Sequence, residues 1–256
     1  MSAVKARALG LALLLAAALL LSLALAQRLS APKDIKPLGL FYVENTLAGN
    51  YSARSPEAVT AIVWDYRGID TLYETAVFYL AVVGGLAIFR LPDGLPRVAG
   101  IGMTKIARTS TKLLAIMIAS VSASIALHGH LTPGGGFQGG SAMAVAPFLL
   151  VPVFSVYELM ARGISATRLV IARGLALSFI GLTAALPLVR GLAFMNNQPF
   201  YPYEVFGQLT SGSLVLYNAF EYVAVASGFA AVVLYMSIGE EHYIGRVRRG
   251  EDLGAR

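Results

Sequence analysis

The sequence contains no cysteine among its 256 residues and only three histidines. A disulfide framework and a thiolate metal site are therefore excluded. Charged residues are also scarce, at 13% of the chain, whereas soluble domains carry about 25%. Because 57% of the residues are hydrophobic and the mean hydropathy is +0.68, the composition indicates an integral membrane protein.

The net charge of +6 raises the question of nucleic-acid binding. Most of the basic residues, however, flank long apolar runs, which is the distribution that the positive-inside rule describes and not a binding patch. We therefore expect the lipid bilayer as a partner and no nucleic acid.

Six apolar runs are long enough to form transmembrane helices. At about 1.5 Å per residue, roughly 20 residues cross a hydrocarbon core of about 30 Å. The prediction is an all-α integral membrane protein with six transmembrane helices, two followed by four, and an ordered external loop over residues 27–69. The predicted spans are Ala8–Ala26, Thr71–Phe89, Ile106–Leu127, Phe137–Tyr157, Leu169–Val189 and Leu214–Ile238.

The first run has a second interpretation as a signal peptide, since Ala24–Ala26 resembles an A-x-A cleavage site. Its 19 uncharged residues exceed the usual h-region of about 7–15, which favours a retained helix. Six spans put both termini on one side, and the basic flanks make that side cytoplasmic. The prediction is a multi-pass protein of the cell (plasma) membrane.

Local patterns refine the segment around the second span. Thr71 and Glu74 match a T-x-x-E capping box at its start; the alternative for Glu74 is a carboxylate at the membrane edge that feeds an ion path. Ala58–Trp64 is short, apolar and rich in β-branched residues, so it is expected to be a strand or to lie at the interface. Trp64, Tyr66 and Tyr73 suit an interfacial aromatic belt.

The stretch His128–Gly140 joins the third and fourth spans, and six of its 13 residues are glycine. Glycine permits positive φ and close approach of other chains, and Pro133 ends any arriving helix. We predict a rigid, packed turn, because ordering a flexible one would cost conformational entropy. No lysine follows the glycines, so a phosphate-binding P-loop is excluded. The structural motif comprises Pro133, Gly134, Gly135, Gly136, Phe137, Gln138, Gly139 and Gly140.

Glu221 is the most informative charge, since it lies well inside the sixth span. An acidic residue there costs ~2.5–3.5 kcal/mol and indicates function. Tyr217 and Asn218 precede it by four and three residues, so all three share a helix face. Two interpretations stay open: a carboxylate that transfers protons or Na⁺, and a protonated side chain that hydrogen-bonds a neighbouring helix.

Other titratable groups are weaker candidates. Lys112 either extends its amine to the cytoplasmic surface or acts as a buried base. His128 and His130 lack a third metal ligand, so they are expected to hydrogen-bond the turn or a partner subunit, or to relay protons. Glu158 and Arg173 are expected to pair. The candidate ion or proton path is Glu221, Asn218, Tyr217, Lys112, His128, His130 and Glu74.

No Ser-His-Asp set and no helical H-E-x-x-H motif is present in the sequence, so catalysis in this chain is not expected. A membrane-embedded hydrolase that uses the histidine pair is the alternative from another class. No catalytic, cofactor-binding or metal-binding residue is predicted.

The stretch His128–Gly140, read as H-G-H-x-[T/S]-P-G-G-G-F-Q-G-G, resembles the signature of the MnhB (MrpB) family. That family provides membrane subunits of multi-subunit Na⁺/H⁺ antiporters and of related archaeal membrane-bound hydrogenase and sulfane reductase complexes. Thr132 stands where serine is common, and it keeps the hydroxyl. The resemblance implies an MnhB-like four-helix domain over residues 103–240. The basic residues that follow predict a cytoplasmic tail over 241–256.

The preceding part has its own resemblance. Tyr42–Thr46, which reads Y-V-E-N-T, and Trp64–Glu74, which contains the pattern D-[FY]-R-G-x-D-T-L-x-E, are similar to the MbhE-type module. This likeness implies an MbhE-like two-helix module over residues 1–102, with the external loop inside it.

Together the resemblances imply a subunit of an Mrp-type complex that translocates cations and protons. Na⁺ or H⁺ would be the transported ions, and this chain would carry no cofactor. The implied partners are other antiporter-module membrane subunits and a hydrogenase-like or sulfur-reducing redox module. The alternative is a non-conducting structural scaffold of such a complex.

Overall fold

The structure, a computed structural model, describes residues 3–28, 35–88 and 103–238. The chain divides into two compact units at Phe41. The first contains helix α1 (Ala3–Arg28), whose side chains are exposed from Leu11 to Ala26. Because that described apolar part is short for a span, the first predicted span and the count of six transmembrane helices stay predictions, as does the retention of the first helix. Helix α2 (Pro37–Asn45) crosses the boundary between the units.

The second unit is built from helices, and five segments among its described residues are long and apolar enough to cross a membrane. The prediction of an all-α membrane protein is confirmed. Its helices are α3 (Ala58–Ala61), α4 (Gly68–Ile88), α5 (Lys105–Leu127), α6 (Gly136–Met143), α7 (Val145–Phe154), α8 (Val156–Ala161), α9 (Ala166–Ala185) and α10 (Leu214–Met236). The 3₁₀ turn Leu186–Arg190 extends α9, and α6 with α7 forms one span.

Hydroxyl side chains fix the starts of two spans. Thr104 accepts a hydrogen bond from the amide of Ala107 at 3.3 Å and begins α5. Ser165 accepts one from the amide of Arg168 at 3.3 Å and begins α9. Both are ordinary N-caps for amides that lack an intrahelical partner. The predicted third, fifth and sixth spans are confirmed to within a few residues.

The capping box predicted at Thr71 and Glu74 is wrong. Helix α4 already begins at Gly68, so Thr71 lies inside it. The Thr71 hydroxyl instead donates to the Val63 carbonyl at 2.5 Å. Glu74 is exposed and has no part in starting the helix.

The segment Ala58–Trp64 is helical, so the expectation of a strand is wrong. The Glu57 carboxylate accepts from the Thr60 amide at 2.5 Å and begins α3, and a π-helical turn (Ile62–Tyr66) follows. The helix cap that Glu57 provides thus outweighs the preference of the β-branched residues for a strand, because that preference depends on context.

The fourth span is interrupted, as its prolines led us to expect. Helix α6 ends at Met143, and Pro147 lies four residues later. A proline removes one hydrogen bond and crowds the carbonyl four residues back, which here belongs to Met143. Helix α7 contains Pro152 and ends before Ser155, whose φ is +70°.

Trp64 lies in the core and not at the interface, which corrects its assignment to an aromatic belt. Its side chain is 1% exposed and stacks on Tyr217 with ring centroids 4.5 Å apart. The same cluster includes Leu214 and Ile180. The π-helical turn therefore packs onto the start of α10.

Replacing Trp64 with alanine is expected to destabilise the second unit by about 3–5 kcal/mol, because it leaves a large cavity against Tyr217. The measurement is thermal unfolding of the purified protein in detergent. Tyr73→Ala is the control, since Tyr73 is 69% exposed. Equal losses for both variants would contradict the burial argument.

The connection between α9 and α10 carries a small hairpin that the sequence did not predict. Strand β1 (Glu204–Val205) pairs antiparallel with β2 (Gln208–Leu209). The two central residues, Phe206 and Gly207, both have positive φ, at 51° and 74°, as a type I′ turn requires. This hairpin contributes a carbonyl to the glycine turn described next.

Candidate functional site

The glycine turn is packed against other segments, which confirms that part of its prediction. Gly135 has φ +139°, and its amide donates to the Ile125 carbonyl at 3.2 Å. The Thr60 hydroxyl donates to the Gly129 carbonyl at 2.6 Å, and the Ser55 hydroxyl donates to the His130 carbonyl at 2.7 Å. The segment before α4 therefore holds the turn in place.

The glycines of α6 allow it to lie very close to two neighbouring helices. A Cβ at Gly139 would be 2.6 Å from the Ser122 carbonyl oxygen of α5. A Cβ at Gly140 would be 2.6 Å from the Val225 Cβ of α10. Because real Cβ atoms do not approach so closely, only glycine fits at these positions.

Glu221 and Asn218 together cap the start of α6 from across the bundle. The Phe137 amide donates to Glu221 Oε2 at 3.1 Å, and the Gly136 amide donates to Asn218 Oδ1 at 3.3 Å. The first amides of a helix need such acceptors, and the helix dipole favours a negative charge there. Glu221 is only 5% exposed, so the glycine motif and the acidic residue form one site.

Tyr217 completes the predicted face of α10. It lies one turn before Glu221 and is fully buried against Trp64. Among the described residues, its hydroxyl and the Asn218 Nδ2 have no hydrogen-bond partner. Buried polar groups of this kind are normally satisfied by protein or ordered water.

A cleft of about 580 Å³ lies between α4, α6 and α10, and Glu221 lines it. Asp70 and Glu74 of α4 also line it, and the Asp70 carboxylate forms an exposed ion pair with Arg67. Phe78 and Phe137 provide apolar walls. Glu74 is close enough to Glu221 to interact with it electrostatically.

The structure does not bring the other predicted path residues to the cleft. Lys112 is exposed, with Nζ 5.7 Å from the centroid of the Phe154 ring. His128 is exposed and its Nδ1 lies 3.0 Å from the Ser124 carbonyl. His130 is buried, and its Nε2 lies 2.9 Å from the Leu209 carbonyl of the hairpin.

These contacts give the two histidines separate surroundings. Burial lowers the pKa of His130; the hydrogen bond with the Leu209 carbonyl partly offsets this, and the nearby His128 adds a smaller lowering. Within residues 3–28, 35–88 and 103–238, no group of three or more His, Cys, Asp or Glu side chains could hold a metal ion.

The predicted pair between Glu158 and Arg173 is wrong. Glu158 accepts from Arg162 at 2.6 Å and lies 3.8 Å from Arg108. Arg173 is 1% exposed, and its Nη1 donates to the Ala224 carbonyl of α10 at 2.9 Å. Gly228 makes room for it, because a Cβ there would collide with the guanidinium.

Asp65 is a buried acid that sequence reasoning missed. It lies in the π-helical turn before α4, outside the spanning helices. Burial raises the pKa of Asp65 to about 6, and a hydrogen bond with Asn197 partly offsets that rise. Its flanking apolar residues, Trp64 and the β-branched run before it, were the only signal that it would be buried.

The raised pKa of Asp65 predicts a pH-dependent stability. The folded state holds the proton more tightly than the unfolded chain, so this contribution is present below the unfolded pKa of 3.8 and is lost as pH rises through about 6. Backbone amides of residues 53–66 should therefore exchange hydrogen on the order of tenfold faster at pH 7 than at pH 4. This comparison is made after each rate is corrected for the intrinsic pH dependence of amide exchange. Asp65→Asn should remove this dependence, and an unchanged profile in that variant would contradict the assignment.

The helices and the site define a polytopic membrane protein with an acidic site inside its helix bundle. Residues 106–231 match the family described as a domain related to the MnhB subunit of Na⁺/H⁺ antiporter. An uncharacterised protein of Methanocaldococcus jannaschii is 31% identical over 39% of this chain, which spans 44% of that relative. A protein of Staphylococcus saprophyticus named as an antiporter subunit, mnhB2, is 28% identical over 52% of this chain and 93% of its own.

Two solved structures extend the likeness to most of the chain. A chain of the membrane-bound sulfane sulfur reductase (MBS), an archaeal respiratory membrane complex, has a TM-score of 0.71 and 30% identity, covering 91% of this chain and 100% of that one. A chain of the Mrp complex from Dietzia sp. DQ12-45-1b has a TM-score of 0.62 at 19% identity, covering 91% of this chain and 26% of that one, so it shows the fold alone. The chain belongs to the MnhB family of membrane subunits. The boundaries at residues 102 and 240 lie outside the described residues and stay predictions, as do the MbhE-like module and the basic tail.

Proposed function

We propose that this chain is a membrane subunit of a multi-subunit Mrp-type complex that moves Na⁺ and H⁺. Its attachment would be to a redox module of the sulfur-reducing or hydrogenase class. The likeness to the chain of the sulfane sulfur reductase supports this, because it covers that chain completely. On this proposal the subunit itself carries no catalysis and no cofactor.

The observation that carries a conducting role is the position of Glu221. Its carboxylate is buried inside the spanning helices, yet it borders a cleft that Glu74 and Asp70 also line. The Phe137 amide holds one of its oxygens in place. A proton or a Na⁺ ion arriving through the cleft would meet an oxygen ligand of fixed position, with no need to reorganise the site.

The predicted topology also gives the carboxylates that line the cleft an order across the membrane. If both termini are cytoplasmic and six helices span the membrane, α4 and α10 both begin on the outer side. Glu74 and Asp70 lie within the first turns of α4, and Glu221 lies two turns into α10. The carboxylates would then follow one another from the outer surface inward. Intramembrane acids in such an arrangement are typical of ion pathways.

A specific observation favours the second candidate, a non-conducting scaffold. Glu221 and Asn218 satisfy the first amides of α6, and this capping alone accounts for burying a carboxyl group there. On that alternative the acid stabilises the glycine turn, and ions move through other subunits.

The test of the proposed function starts from the host that makes this chain. The chromosomal copy is removed, a tagged copy is returned, and the complex is purified through the tag. We expect antiporter-module subunits to co-purify, and Na⁺-dependent proton flux in membrane vesicles to disappear without the chain and return with it. A chain that purifies alone, or flux that does not depend on it, would contradict the proposal.

A further inference from the structure

Arg173 is a buried charge inside a spanning helix, and among the described residues no acidic side chain forms an ion pair with it. Its side chain donates to the Ala224 carbonyl at 2.9 Å and is 1% exposed. An arginine within the bilayer is costly and usually marks a pathway or a barrier. None of the capping or packing described above requires a positive charge at this position.

Phe78 separates this charge from the acidic cleft. Its ring lines the cleft together with Glu221, and the Arg173 Cζ lies 4.3 Å from its centroid. A guanidinium at this distance over a ring face is held by a cation–π interaction. Arg173 and the cleft are thus in contact with one aromatic ring.

Two more phenylalanines surround Phe78. The Phe137 ring lies 6.0 Å away on α6, and the Phe229 ring lies 5.1 Å away on α10. We call Phe78, Phe137 and Phe229 the phenylalanine layer. Arg173 is anchored by Ala224 and Gly228, which both follow Glu221 along α10. Phe229 comes after both of these residues on α10, so the ring that lies between the cleft and Arg173 is that of Phe78.

We propose that the phenylalanine layer and Arg173 close the deep end of the cleft to cations. The inference rests on the proposed function, since it assumes that cations reach Glu221. An apolar constriction excludes water, and a fixed arginine charge repels cations and protons at close range. A cation at Glu221 then leaves through the mouth of the cleft or into a neighbouring subunit, and does not continue along this chain.

A structural role for Arg173 makes different predictions from a barrier. Glutamine at position 173 can still donate a hydrogen bond to a carbonyl but has no charge, whereas lysine keeps the charge and loses the planar fork. The barrier requires the positive charge, so a complex with Arg173→Gln should leak cations and a complex with Arg173→Lys should not. A role in filling space beside Gly228 requires size and shape and predicts no leak for an assembled complex of either variant.

The experiment uses vesicles that contain the assembled complex, with the redox module idle and a membrane potential imposed. Uptake of radioactive Na⁺ and decay of a pH gradient are measured. We expect Arg173→Gln and Phe78→Ala each to raise passive leak on the order of tenfold, and Arg173→Lys to stay near the parent value. Arg168→Gln, on the same helix but exposed, is the matched control and should not leak.

The outcomes separate this inference from the proposed function. Assembled Arg173→Gln and Phe78→Ala complexes without added leak would overturn the barrier, while coupled flux that still depends on Glu221 would leave the proposed function standing. Adding Glu221→Gln to Arg173→Gln should reduce the leak, because the ion would enter through the cleft. A leak that this second change leaves untouched would also overturn the barrier. If Arg173→Gln does not assemble, Phe78→Ala decides alone.

Discussion

Glu221→Gln is expected to abolish Na⁺-dependent proton movement by the assembled complex, a loss on the order of a hundredfold or more if the residue is an obligatory transfer site. Glutamine keeps the size of the side chain and an oxygen that can accept from the Phe137 amide, but it cannot bind and release a proton. The cap on α6 should survive, so the complex should still assemble. The measurement is ion flux in vesicles, normalised to the amount of complex.

Glu221→Asp and Glu204→Gln make this result interpretable. Aspartate keeps the titratable group with a shorter reach, so the transfer role predicts partial flux. The scaffold alternative predicts the reverse order, since glutamine can still cap α6 whereas aspartate fails to reach the Phe137 amide. Glu204 is exposed in the hairpin, and its replacement should change nothing. Full flux with Glu221→Gln would leave Glu221 as a structural cap.

The spanning helices could be predicted because their evidence is local. The length of an apolar run such as Ile106–Leu127 can be counted in the sequence, and hydroxyl residues such as Thr104 and Ser165 mark where helices begin. The close packing of the glycine turn could also be predicted, because glycines permit close contacts whichever segments are the neighbours. The grouping of Glu221, Asn218 and Tyr217 followed from helical spacing alone.

What the sequence did not reveal depends on contacts between distant segments. Nothing near Arg173 in the chain shows that Gly228, on another helix, makes room for its guanidinium. Tryptophan is a residue type common at membrane interfaces, and only the stacking of Trp64 on Tyr217 shows that it belongs to the core. The capping role of Glu221 does have a signal in the sequence: α6 begins after glycines that have no side chain to cap it, so its acceptors must come from another segment.

Gly139→Ala is expected to prevent assembly of the second unit, although it adds a single methyl group. The new Cβ would be 2.6 Å from the Ser122 carbonyl oxygen, 2.7 Å from the Ala126 Cβ and 2.9 Å from the Ala126 amide nitrogen. Two of these atoms belong to the backbone of α5, so relief requires moving a whole helix, and we expect a cost of about 3 kcal/mol or more. Because α6 also carries the amides that Glu221 caps, the displacement would open the acidic site as well.

Gly181→Ala is the matched control, since a Cβ there meets nothing within 4 Å and alanine favours a helix over glycine. Tagged chains carrying each change are expressed in the host, and the fraction recovered in the intact complex is measured by size-exclusion chromatography. We expect near-complete loss of complex for Gly139→Ala and parent-like recovery for Gly181→Ala. Parent-like recovery and flux in Gly139→Ala would mean that α5 and α6 can separate without consequence, and that the glycine motif is a tether between spans and not the packing element that presents α6 to Glu221.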